Sequence, residues 1–148
     1  MIRQDDRRFL RYPEGRNIHD YGCGILSCFF LGNKLNKELV LDVDFIVERI
    51  REFIQKKWLE KDMTVLEWEK IVGELTDLSV KYLGHIGAEV KCSKNQREIL
   101  QWFNKRTNFK HFTCGDGEGH CTYDPLGESV SVREGSVLSK RIFSFKEL

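Results

Sequence analysis

Proline is scarce in this 148-residue chain, occurring only as Pro13 and Pro125. No proline-rich or low-complexity linker divides the chain and no internal repeat is present, which argues against a multi-domain or solenoid architecture. No run approaches 18 consecutive apolar residues, so no transmembrane helix is expected. An excess of one charge is also missing. Lys plus Arg number 24 against 23 for Asp plus Glu, a net charge of +1. That balance gives no support to a nucleic acid as a whole-chain electrostatic partner. The opening MIRQDDRRFLRYPEGR carries charges where a signal peptide needs its apolar stretch, and a cytoplasmic location is the expectation. The five cysteines, an odd number, do not make a complete disulfide framework, and reduced thiols are expected in that compartment.

What is present reads as one globule. Apolar residues make up 41% and charged residues 32%, enough of the former to build a core at this length. Helices are expected from residue 23 to about 103, and strands from about 109 to the end, an α+β order. The run Cys23-Gly-Ile-Leu-Ser-Cys28-Phe-Phe-Leu31 fits a buried helix that stops at Gly32-Asn33. Asp42 or Asp44 can N-cap a second helix, on which Ile46, Ile50, Phe53 and Ile54 form one stripe. Thr64 and Glu67 have capping-box spacing for a third helix, with Val65, Trp68, Val72 and Leu75 on one face. Ser93 and Gln96 repeat that spacing for a fourth, carrying Ile99, Leu100, Trp102 and Phe103. Phe109–Cys114 and His120–Asp124 flank the glycine-dense 115–119 turn as a hairpin. Segments 130–133 and 141–145 supply two further strands.

Two features carry possible chemistry. Cys23 stands where a loop is expected to become an apolar helix, and the backbone N–H groups and dipole of a helix start favour thiolate. Gly22 and Gly24 leave room beside the sulfur. Cys28, inside the same apolar run, reads as core. In the C-terminal part, closing the hairpin brings Asp124 toward His111, where a carboxylate fixes the tautomer of an imidazole and stabilises its protonated form. A cysteine at a helix start, a histidine on a later strand and an acid on the next strand follow the Cys–His–Asp order of papain-like enzymes.

YGCGILSCFFLG resembles the nucleophile segment of the bacteriocin-processing peptidases, and HFTCGDGEGHCTYDPLGES resembles their His-strand and Asp-Pro segment. The D-Y-G-C start, the DMTVL segment and the ending HF…GDG…DP…S-V-x-x-G-x-x-x-S-K-R-I-F are similar to small bacterial and phage proteins with a papain-type domain of that branch. The similarity runs from about Asn17 to Phe143. It implies a single papain-like domain, with a helical N-terminal half bearing Cys23 packed on an antiparallel sheet bearing His111 and Asp124. It further implies a cysteine peptidase or amidase acting on a peptide or other amide, with no cofactor and no metal. The papain-like pattern has a glutamine six residues before the nucleophile. Asn17 holds that place here and is the expected oxyanion donor. Gly24-Ile25 stands where the bacteriocin-processing branch has Gly-Pro.

Two alternatives stay open at this level. One is a catalytically inactive papain-like module that binds a protein partner in a phage or plasmid system. The other is a zinc site from His111, Cys114, His120 and Cys121. The second spacing matches no standard finger or ribbon, and adjacent residues on a strand point to opposite faces. Asp20 is a secondary candidate for stabilising the segment before Cys23. The residues leave the oligomeric state open.

Overall fold

The computed structural model describes residues 2–148. After a short 3-10 turn at Arg7–Arg11, four helices follow: α1 (Gly15–Tyr21), α2 (Cys23–Leu35), α3 (Val43–Gln55) and α4 (Trp68–Thr76). The strands are β1 (Val80–Gly87), β2 (Gln96–Asn104), β3 (Phe109–Gly115), β4 (Cys121–Tyr123) and β5 (Ser136–Phe145), with α5 (Val130–Glu134) before the last. They form one sheet of order β1-β5-β2-β3-β4, antiparallel throughout. The chain is therefore α+β, helices first. Among the described residues, no helix is long and apolar enough to cross a membrane.

α2 is the central helix. Residues from Gly24 to Gly32 are all buried, which is why its sequence is apolar all round rather than on one stripe. It packs on β3 and α4, and Phe29 meets Phe45 and Phe53 of α3 edge-on and tilted. The α3 stripe forms as expected: Ile46, Ile50 and Phe53 are buried and Ile54 packs against them. Its cap is Asp42, whose carboxylate accepts the Phe45 N–H at 2.8 Å. Losing such a cap costs about 1 kcal/mol.

Several segments depart from the sequence reading. Residues 80–87 and 96–104 are strands, not helix. The Ser93–Gln96 signal is real, since the Ser93 N–H donates to Gln96 Oε1 at 2.9 Å. It closes a turn that launches β2 instead of a helix. β2 lies between β5 and β3 and is buried on both faces, so its apolar residues show no two-residue period to mark a strand. Residues 130–134 form α5 rather than a strand, because the Ser129 hydroxyl accepts the Val132 N–H at 3.3 Å and caps one turn. α4 begins at Trp68, not Thr64. The Thr64 N–H donates to Asp62 Oδ1 at 3.0 Å, and Val65 bridges back to Leu59. Residues 59–65 consequently form a loop.

Candidate active site

Cys23 is the first residue of α2. A helix precedes it as well, not the loop expected from sequence. α1 ends at Tyr21, and Gly22 carries the break, its N–H donating to the Ile18 carbonyl at 2.9 Å. A Cβ at Gly22 would sit 2.4 Å from that oxygen, so only glycine fits the junction without a shift. Cys23 is half-exposed in a cleft of about 410 Å³ walled by Tyr21, Trp68, Phe109 and Phe112. The chain has four further thiols, Cys28, Cys92, Cys114 and Cys121. Burial raises the pKa values of all of them, with Cys92 reaching about 12.

His111 is buried on β3, and its Nε2 lies 2.7 Å from Asp124 Oδ1. The hairpin thus joins residues 13 apart, as the sequence predicted. Asp124 is itself fixed by the turn it opens: its Oδ1 accepts the Leu126 N–H and its Oδ2 the Ser129 N–H, each at 2.9 Å. With Nε2 engaged, only Nδ1 is left for another partner. It is buried and has no hydrogen bond of regular geometry among the described residues. Cys23 shares its cleft with Phe109, Lys110 and Phe112, the neighbours of His111 on β3. Burial disfavours the imidazolium, but the Asp124 carboxylate and Cys23 outweigh it and push the His111 pKa up to about 9. Burial likewise disfavours the Asp124 carboxylate, and the bonds from His111 and Ser129 override it, holding the group well below the usual carboxylate range.

These opposite shifts set a pH window for stability. The raised His111 contributes fully below its ordinary 6.5 and loses that contribution as pH climbs through about 9. The lowered Asp124 contributes fully above its ordinary 3.8 and loses that contribution in stronger acid. Wild type should therefore exceed His111→Gln in stability most clearly near pH 6. The gap should narrow by up to about 3 kcal/mol toward pH 9.5. Thermal unfolding of both proteins across that range checks this.

Asn17 lies on α1 with its Nδ2 donating to the Lys61 carbonyl at 3.0 Å. It lines a separate cavity with Pro13, Glu14 and Arg51, not the Cys23 cleft. The helix decides this, because six residues along α-helical chain turn through about 600° and leave a side chain on a different face. Asn17 ties α1 to the loop that supplies Asp62, Met63 and Thr64 to the cleft rim. Asp20 also lines the cleft, paired with His19 Nδ1 at 2.8 Å and Arg16 Nε at 3.1 Å.

The four residues considered for zinc are not brought together. His111 is held by Asp124, Cys114 Sγ donates to the Ser27 carbonyl at 3.1 Å, and His120 Nδ1 pairs with Asp116 at 2.9 Å. Cys114 opposes Tyr123 and Gly115 opposes Cys121, so the two thiols do not face each other across the ladder. The metal-type cluster found among the described residues is Asp116, Glu118 and His120, all exposed.

Sequence reasoning missed the supports of the hairpin. Glu98 and Lys140 are an ion pair at 2.9 Å with both side chains at most 1% exposed. Lys140 also donates to the Val90 carbonyl at 2.7 Å, and Glu98 Oε2 accepts the N–H groups of Gly117 and Gly119 at 2.9 Å each. These glycines have φ of +93° and +90°, a backbone region other residues rarely adopt. The pair thus anchors the loop that joins the His111 strand to the Asp124 arm. A charged residue set within the apolar runs R-E-I-L and S-K-R-I-F was the available signal.

Comparison with known proteins adds one family. The model described as Protein of unknown function, DUF261, matches residues 1–145. No curated protein and no solved structure matches the chain.

Proposed function

The chain belongs to the DUF261 family, whose description assigns no activity, and from the site itself we propose that it is a papain-like cysteine hydrolase acting on a peptide or other amide bond. The observation that carries the reading is the orientation of His111. Asp124 holds Nε2, Nδ1 is left for the thiol, and Cys23 opens into a cleft. In this reading the Cys23 thiolate adds to the substrate carbonyl. The C–N bond breaks as the His111 imidazolium gives its Nδ1 proton to the departing amine. Water, deprotonated by the now neutral imidazole, then cleaves the thioester, releasing the acid and restoring the pair. Asp124 keeps the ring in place and stabilises its charged form.

A second reading, an inactive papain-like binding module, is favoured by one observation. The Asn17 amide is turned to Lys61 and does not face the cleft. Alkylation separates the two. At neutral pH, iodoacetamide labelling resolved by peptide should modify Cys23 at least about tenfold faster than Cys92 and Cys121, which are half-exposed as Cys23 is. Equal rates would remove the nucleophile and leave the binding module.

A further inference from the structure

Arg141 is a strongly basic group that the proposed chemistry leaves unused inside the cleft. It is half-buried on β5, its guanidinium 5.9 Å from the ring centre of Trp68 and 5.1 Å from that of Phe112. Both aromatic residues wall the Cys23 cleft, and Arg141 lines it with them. Only one end of the fork is held. Nη1 donates to Ser139 Oγ at 2.7 Å and to Gln101 Oε1 at 3.4 Å. Nε and Nη2 have no protein acceptor among the described residues, and neither is a sealed, unpartnered atom, so both keep some access to solvent. No carboxylate pairs with Arg141 among those residues, although many of the chain's surface arginines have one.

Such an arrangement is costly without an anion. Burial removes water from the guanidinium and pulls its pKa below the ordinary arginine value, against the opposing charge of Tyr82. An arginine fixed at one end, with two adjacent N–H donors free, matches the two oxygens of a carboxylate. The acids in the same cleft are otherwise engaged: Asp20 with His19 and Arg16, and Asp62 with the Thr64 N–H. Lys110 adds a second cation to the lining.

We propose that Arg141 makes the cleft selective for acyl substrates bearing a carboxylate, read by its free Nε and Nη2 between Trp68 and Phe112. This specificity rests on Cys23 being the nucleophile, and the test keeps the two apart. The same sulfur attacks the CH₂ carbon of iodoacetate or iodoacetamide and displaces iodide, and the two reagents differ in carrying or lacking the carboxylate. Their rate ratio at Cys23 is compared in wild type, Arg141→Gln and Arg141→Lys, each confirmed folded by circular dichroism. The ratio should fall about tenfold in Arg141→Gln, the scale of one charge-assisted contact. It should fall less in Arg141→Lys, with the iodoacetamide rate nearly constant. A purely structural role would change both reagents alike and leave the ratio intact. An unchanged ratio with a fast Cys23 overturns the carboxylate proposal and spares the nucleophile. A Cys23 slow toward both reagents overturns the nucleophile and the substrate selectivity with it.

A binding arm on Cys23→Ser protein identifies the kind of carboxylate. N-acetylphenylalanine, its amide and N-acetylglutamic acid amide are titrated by NMR. Preference for the first over its amide supports a terminal carboxylate. Preference for the third supports an acidic side chain. Equal weak binding of all three contradicts the proposal.

Discussion

Lys140→Met is expected to lower stability by about 3–5 kcal/mol, the cost of leaving one partner of a buried ion pair uncompensated. Glu98 would be stranded with its carboxylate fully buried, and ion-pairing and hydrogen-bonding Lys140 is what balances it. Equilibrium unfolding in urea should show a lower midpoint with little change in slope. For a domain of this size the same loss should lower the melting temperature by roughly 10–15 °C. The double variant Lys140→Met with Glu98→Gln should regain part of the loss. It buries no charge, and the amide oxygen still accepts the Gly117 and Gly119 N–H groups that Glu98 Oε2 holds now. A Lys140→Met protein as stable as wild type would mean that the pair is hydrated and the hairpin anchored by other contacts.

His111→Ala is expected to produce the larger chemical effect. Cys23 loses its imidazolium partner, so alkylation at neutral pH should slow by about tenfold or more. Hydrolysis of any amide substrate should fall by about 10²–10⁴, the range for removing a general acid–base. Asp124→Asn should slow alkylation less, because the imidazole remains but loses the charge that steadies its protonated form. The asparagine can still accept a backbone N–H in place of the Leu126 and Ser129 bonds, so the turn should survive. Labelling rates of wild type and both variants, with circular dichroism as a control for folding, check the ordering. Equal rates in wild type and His111→Ala would break the pair.

Part of this was legible in the residues. Short-range rules place α2, whose apolar run needs burial on all sides, and α3, whose stripe and Asp42 cap agree with each other. The hairpin that brings Asp124 to His111 was also readable, since a glycine-dense turn between two short strands leaves few ways for the arms to meet. Turn chemistry, capping and periodicity act over a few residues, and they suffice where tertiary packing does not oppose them.

The sequence by itself thus determined the α+β order, the central helices, and Cys23, His111 and Asp124 as the residues to examine. Tertiary structure alone decided the rest. β2 is a strand because β5 and β3 flank it, and burial of both faces erases the period that would identify it. Asn17 turns from the cleft because α1 continues almost to Cys23 and rotates its side chain toward Lys61. Glu98 meets Lys140, and Arg141 meets Trp68 and Phe112, only through pairing of strands and helices far apart in sequence. Such contacts depend on sheet order and register, which local spacing does not encode, and here they set the anchoring of the hairpin and the lining of the cleft.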